Sequence, residues 1–158
     1  DTNDIPKFIS TSKQHPEAII NGTPIYDDSV PKHREYARYL THVWVWINTL
    51  SMAIEDSMCG FRVYPLSAII PLIDKEFIGS RMDFDTEILV KSHWAGIPVF
   101  GLPTRVHYPM DGISHFRAVR DNVRITLMHT RLFFGMIWKL PTLLQRKYTK
   151  RQQSGDVS

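Results

Sequence analysis

Residues 84–108 read FDTEILVKSHWAGIPVFGLPTRVHY, and this stretch decides the fold class. Phe84 to Ala95 predicts a helix: Asp85 and Glu87 sit in its first turn, where the positive end of the helix dipole favours acids, and Gly96 ends it. Just beyond that glycine, Ile97 to Phe100 and Thr104 to Tyr108 carry the β-branched and aromatic residues that suit strands. A helix delivered straight into strands is the unit of an α/β protein, and the alternation continues upstream. Phe61 to Tyr64 reads as a strand, Ser67 to Ile73 as a helix disturbed by Pro71, and Ala18-Ile19-Ile20 as a brief buried strand closed by Asn21-Gly22. Thr23 to Val30 reads as loop. Ahead of these, Thr2-Asn3-Asp4 and Pro6 open a short helix whose apolar face is Ile5, Phe8 and Ile9, and which stops before His15-Pro16.

Between these segments, Pro31 opens a long helix. Tyr36, Leu40, Val43, Ile47, Leu50 and Ile54 recur every three or four residues, which predicts one apolar stripe turned to the core, widened by Trp44 and Trp46. Tyr39 to Ile54 is sixteen residues without a formal charge. A membrane-spanning helix needs about 20 apolar residues, and this run contains Thr41, His42, Asn48, Thr49 and Ser51, so a core helix is expected.

The whole chain has 158 residues, 43% hydrophobic and 22% charged, the profile of one packed domain; disorder, collagen and coiled coil are excluded. Cys59 is the single cysteine, so no disulfide forms within the chain, and a reducing, cytoplasmic home is expected. Because the sequence enters a helix-start pattern directly from Asp1, it is expected to be a piece of something longer. The net charge of +3 conceals an asymmetry: Arg117 to Arg151 carries nine basic residues against Asp121, while the remainder has ten basic and fifteen acidic residues. From Arg117 a basic amphipathic helix is predicted to about Leu140, broken by Pro141. Its charge points either to an anionic surface or ligand or to a solvated face balancing an acidic body. Nucleic acid is not expected, since the aromatic residues fall in core stripes instead of alternating with the basic ones.

Three constellations carry chemistry. In Glu55-Asp56-Ser57-Met58-Cys59-Gly60-Phe61-Arg62, carboxylates at a helix C-terminus oppose the dipole and need a cationic partner, for which Arg62 is the candidate; Gly60 lets a ligand approach the backbone. The reading as a stapled turn stays open. In Phe84-Asp85-Thr86-Glu87, Asp85 serves either to cap the helix or, with Glu87, to hold a general base at a sheet edge. In His107 to Arg117, the glycine loop with Ser114, His115 and Arg117 suits phosphate; zinc is disfavoured by spacing, and no Gly-x-Ser-x-Gly elbow supports a hydrolase.

Taken in order, these stretches resemble the second half of the catalytic domain of family 2 glycosyltransferases with the GT-A fold, especially the polyprenyl-phosphate sugar synthases. The resemblance rests on Ile19, Ile20 and Gly22, on Arg34 and Arg38, on Asp56 with Cys59-Gly60-Phe61-Arg62, on Phe84 to Leu89, on Trp94 to Val99, and on Gly112-Ile113-Ser114. It covers residues 1 to about 124. It implies an incomplete GT-A sheet with flanking helices and a basic C-terminal helix: residues 1–116 as the acceptor side, 117–148 as the basic helix, 149–158 as a disordered tail. The family's Asp-x-Asp motif does not occur here, so the resemblance places the nucleotide half and the main ligands of a divalent cation (Mg²⁺ or Mn²⁺) outside this chain.

By the same resemblance Asp85 is the catalytic carboxylate, Glu87 supports it, Asp56, Gly60 and Arg62 line the sugar and acceptor pocket, and Gly112, Ser114, His115 and Arg117 close over phosphate. The implied partners are a nucleotide-sugar donor and a polyprenyl-phosphate or glycan acceptor in cell-envelope glycan synthesis. The expected place is the cytoplasm, at the inner face of the membrane; apolar Leu127, Phe134, Ile137, Trp138 and Leu140 among the basic residues of the C-terminal segment add an anionic membrane surface as a further partner, and a cut sheet edge is expected to drive self-association. His115 departs from the lysine usual after that serine, which leaves the acceptor class open. The alternative is a non-catalytic module that binds a membrane surface or a protein partner through the basic helix.

Overall fold

The computed structural model describes residues 2–26, 32–106 and 118–155. A single 3-10 turn, Thr2–Asp4, leads into α1 (Ile5–Gln14), β1 (Ile19–Tyr26), α2 (Lys32–Thr49), β2 (Arg62–Val63), α3 (Leu66–Lys75), α4 (Phe84–Ala95), β3 (Val99–Val106) and α5 (Ala118–Gly155). The fold is α/β, with a three-stranded mixed sheet in the order β2-β1-β3. β1 runs parallel to β3 from Ile19↔Val99 to Tyr26↔Val106 and antiparallel to β2 at Ile20↔Val63 and Asn21↔Arg62.

Alternation along β1 divides the interior. Ile19 joins the main core of Val45, Ile54, Ile69, Leu72, Ile88 to Val90, Trp94, Met128, Leu132, Met136 and Leu143. Ile20, with Phe8 and Ala18, belongs to a smaller cluster beneath α1. α4 is the central helix: Thr86 to Ser92 and Trp94 are all buried, so it has no solvent face over that run. It stops at Gly96, whose φ of 85° is left-handed and whose amide donates to His93 O at 3.0 Å.

Several expectations are corrected. Asn21-Gly22 does not close β1, which continues through residues read as loop, because each residue to Tyr26 has a partner on β3. Gly22 is needed there for close approach: a Cβ would stand 3.0 Å from both Cys59 Sγ and Phe61 O. Ile97 to Phe100 and Thr104 to Tyr108 are not two strands; β3 is continuous through Pro103, which an edge strand tolerates.

α2 ends at Thr49, where Leu50 turns to φ 51°, and Ile54 reaches the core from the loop beyond. Its core side is His42, Val45, Asn48 and Thr49, so the apolar stripe expected to be buried is divided: Leu40 and Ile47 are exposed and Val43 is half-buried, while Leu50 packs against the core and Ile54 joins it. α5 passes through Pro141 because Leu140 and Leu143 pack on the core on either side of it. Its helical backbone continues to Gly155, into the segment expected to be a disordered tail. The boundary near residue 116 and the turn at 109–112 lie outside the described residues.

Candidate functional site

The loop from α2 to β2 folds around Asp56. This carboxylate is buried and saturated: Arg38 of α2 donates through Nε and Nη2 to Oδ2 (2.9 and 2.8 Å) and through Nη2 to Oδ1 (2.9 Å), and the Met58 and Cys59 amides donate to Oδ1 at 2.8 and 2.7 Å. The partner of Asp56 is therefore Arg38, not Arg62. His42 brings Nε2 to 3.5 Å from Oδ2. Its pKa is lowered, chiefly by burial, with Asp56 acting against the shift and Arg38 adding to it.

Arg62 does a different job. Its side chain is fully buried; Nε donates to Asn21 Oδ1 at 2.6 Å, Nη1 to the Asp85 carbonyl at 2.7 Å and Nη2 to the Ser57 carbonyl at 2.8 Å. Asn21 in turn donates Nδ2 to the Asp56 carbonyl at 2.6 Å. One guanidinium thus ties β1, the Asp56 loop and the first turn of α4 together. The Asp85 carboxylate, 41% exposed, stands with Oδ1 3.4 Å from Arg62 Nη1, so one face meets a fixed cation and the rest meets solvent. Asp85 is not the cap residue of α4; Asp83 occupies that position. Gly60 is exposed, and a Cβ built on it meets nothing within 4 Å.

Glu87 lies two residues beyond Asp85 and points inward. It is fully buried, accepts from the Gly79 amide at 2.8 Å and from Arg131 Nη2 at 2.9 and 3.1 Å, and has Lys91 Nζ 3.3 Å away. Lys91 also donates to the Phe77 carbonyl. This cluster fastens α5 to α4, and the structure does not bring Glu87 and Asp85 to one point. Gly112, Ser114, His115 and Arg117 lie outside the described residues. Among the described residues no group of three His, Cys, Asp or Glu side chains could hold a metal ion.

Asn21, Arg38 and His42 are the parts of this network that motif reading gave no role. Arg38 and His42 stand four apart on α2, the spacing that puts two side chains on one helix face, and that was the available signal. A cavity of about 910 Å³ opens at the other end of α4, lined by Trp46, Leu50, His93, Ile97 and Arg146 among others, and of the described candidate site residues Asp56, Gly60, Arg62, Asp85 and Glu87 none borders it. Arg146 there donates Nη1 to the Trp94 carbonyl at 2.7 Å and to the His93 carbonyl at 3.4 Å. Compared with protein-family models, curated proteins and solved structures, the chain finds no match.

Proposed function

We propose that this chain is the acceptor-side part of an inverting glycosyltransferase that moves a sugar from a nucleotide-sugar to a lipid-linked or saccharide acceptor, with Asp85 as its general base. The observation that carries the reading is the Arg62 clamp: two stretches quoted for the glycosyltransferase resemblance, far apart in sequence, meet at a solvent-facing carboxylate. A base must be accessible to its substrate yet fixed in direction, and Asp85 has both properties. An acceptor hydroxyl would pass its proton to Asp85 as its oxygen bonds to the anomeric carbon and the nucleoside diphosphate leaves with the electron pair. Glu87, enclosed by Arg131, Lys91 and the Gly79 amide, enters the proposal as a positioning residue that holds α4 against α5.

The test is Asp85→Asn in the full-length polypeptide, assayed for sugar transfer to a hydroxyl acceptor. A lost general base lowers kcat by about 10²- to 10⁴-fold. Donor affinity and melting temperature should stay close to those of the parent. Unchanged turnover removes the base assignment, and a phosphate acceptor, already ionised, becomes the better reading. A non-catalytic module shows no transfer in either form.

A further inference from the structure

We propose that α5 and α2 together form a docking face for an anionic bilayer surface, an inference that stands whether or not the transferase reading does. α5 is apolar on two sides. Met128, Leu132, Met136 and Leu143 face the core, while Leu127, Phe134, Trp138 and Tyr148 are exposed. At 100° per residue the second set lies within about 80° of itself and about 160° from the first. Trp138 is 87% exposed, the most exposed large apolar side chain among the described residues.

The strip continues onto α2. Trp44 meets Phe133 edge-on with ring centroids 6.5 Å apart, and Phe133 meets Phe134 at 5.9 Å. Leu40 lies one turn before Trp44 on α2 and is exposed. The exposed side of α2 at Leu40 and Trp44 and the outer strip of α5 therefore adjoin through these three rings. No helix of the described residues is long and apolar enough to cross a membrane. A face that is apolar, wide and rimmed by charge instead suits a helix pair lying in the plane of the interface.

Charge selects the occupant. From Val119 to Thr149 there are six Arg and Lys residues, and the one acid, Asp121, is buried. At 100° per residue exposed Arg120 shares the face of the strip and half-buried Arg124 flanks it, both near its start, whereas Lys147 is exposed on the side away from it. Arg131 and Lys139 keep 45% and 37% of their side chains in solvent although they pair with Glu87 and Glu76. A second copy of the chain would set this basic rim against itself, whereas an anionic headgroup layer complements it. Trp138 and Tyr148, apolar bodies with a polar edge, suit the headgroup boundary.

Vesicle flotation of the full polypeptide tests this, with phosphatidylcholine alone and with an equimolar phosphatidylcholine and phosphatidylglycerol mixture. Recovery with the anionic vesicles should exceed that with neutral ones and fall as salt is raised. Replacing the two exposed rings together, Phe134→Glu with Trp138→Glu, should lower recovery about tenfold with an unchanged melting temperature. If that pair fails to fold, Arg120→Glu with Arg124→Glu must reduce the anionic preference by itself. Equal recovery from both vesicle types overturns the proposal, as does binding indifferent to every variant. Concentration-dependent dimerisation that these substitutions abolish, without vesicle binding, would assign the face to self-association instead.

Discussion

Replacing Arg62 with methionine keeps the length and apolar stem of the side chain while deleting its charged donors. Three short bonds from a fully buried guanidinium disappear, leaving Asn21 Oδ1 and the carbonyls of Ser57 and Asp85 without that donor. Hydrogen bonds to a charged group contribute about 1.5–3 kcal/mol each, but they are not additive, and the variant no longer buries a charge. Each acceptor left without a donor costs about 1–3 kcal/mol, and the charge no longer buried offsets part of the sum, so the net loss should be about 3–5 kcal/mol. Against a domain stability of about 5–15 kcal/mol this is a large fraction.

Asp85→Asn, in contrast, keeps the carbonyl that Arg62 grips. It loses only a 3.4 Å pairing at a half-exposed carboxylate. Together with a favourable first-turn position this amounts to about 1 kcal/mol. Urea unfolding reads the difference: with a slope of about 2 kcal/mol/M, Arg62→Met should lower the midpoint by about 2 M and Asp85→Asn by about 0.5 M. Equal losses, or an Arg62→Met loss below about 1 kcal/mol, would show that the guanidinium does not hold the site together.

Two glycines should behave oppositely in thermal melts. Gly22→Ala meets Cys59 Sγ and Phe61 O at 3.0 Å and Thr104 Cγ2 at 3.1 Å, an overpacking cost of about 1–3 kcal/mol. Gly60→Ala enters open space and should change stability by no more than about 0.5 kcal/mol. Glu87→Gln withdraws the charge facing Lys91 and Arg131 and should cost about 3 kcal/mol in denaturant unfolding, the low end for a buried pair because Arg131 is 45% exposed. His42 and His129 both have pKa values lowered by burial from the ordinary 6.5, so the unfolded chain takes up their protons first. Their stabilisation is complete above pH 6.5 and is lost as pH falls from there through the folded values. Unfolding at pH 7.5 and 5.5 should show a smaller drop in stability for the His42→Gln, His129→Gln double variant than for the parent (about 2 pH units spanning the histidine range).

Local signals were legible where the chain punctuates itself. Gly96 ends α4 at the residue expected, and His15-Pro16 lies just beyond the end of α1. The errors occur where a tertiary partner overrides local preference. Asn21-Gly22 has turn chemistry, yet β3 pairs it, and the buried Arg62 and the Asp56 carbonyl occupy the asparagine side chain. Half of the α2 stripe faces out: Leu50 and Ile54 meet the core as expected, but Leu40 and Ile47 are exposed, because apolar spacing alone does not say which side of a helix is covered, and polar Asn48 and Thr49 join Val45 on the inner face. At the site, the sequence marked Asp56, Arg62 and Asp85 as charged residues of interest. Which cation meets which acid depends on how α2 and β1 arrive, and no spacing encodes that.

The register Ile19↔Val99 also determines when the molecule can assemble. Joining β1 to β3 closes a loop of about 80 residues, an entropic cost met before any ladder bond rewards it. The packing of α4 on α2, α3 and α5 involves elements nearer in sequence, and those contacts can accumulate first. Asn21 reaches its partners only as β1 docks, so Arg62 should be secured late on the folding route. During synthesis β1 would remain without its longer neighbour until residue 106 has left the ribosome, and its exposed Ile19 and Ile20 would make that interval the one most open to misassembly.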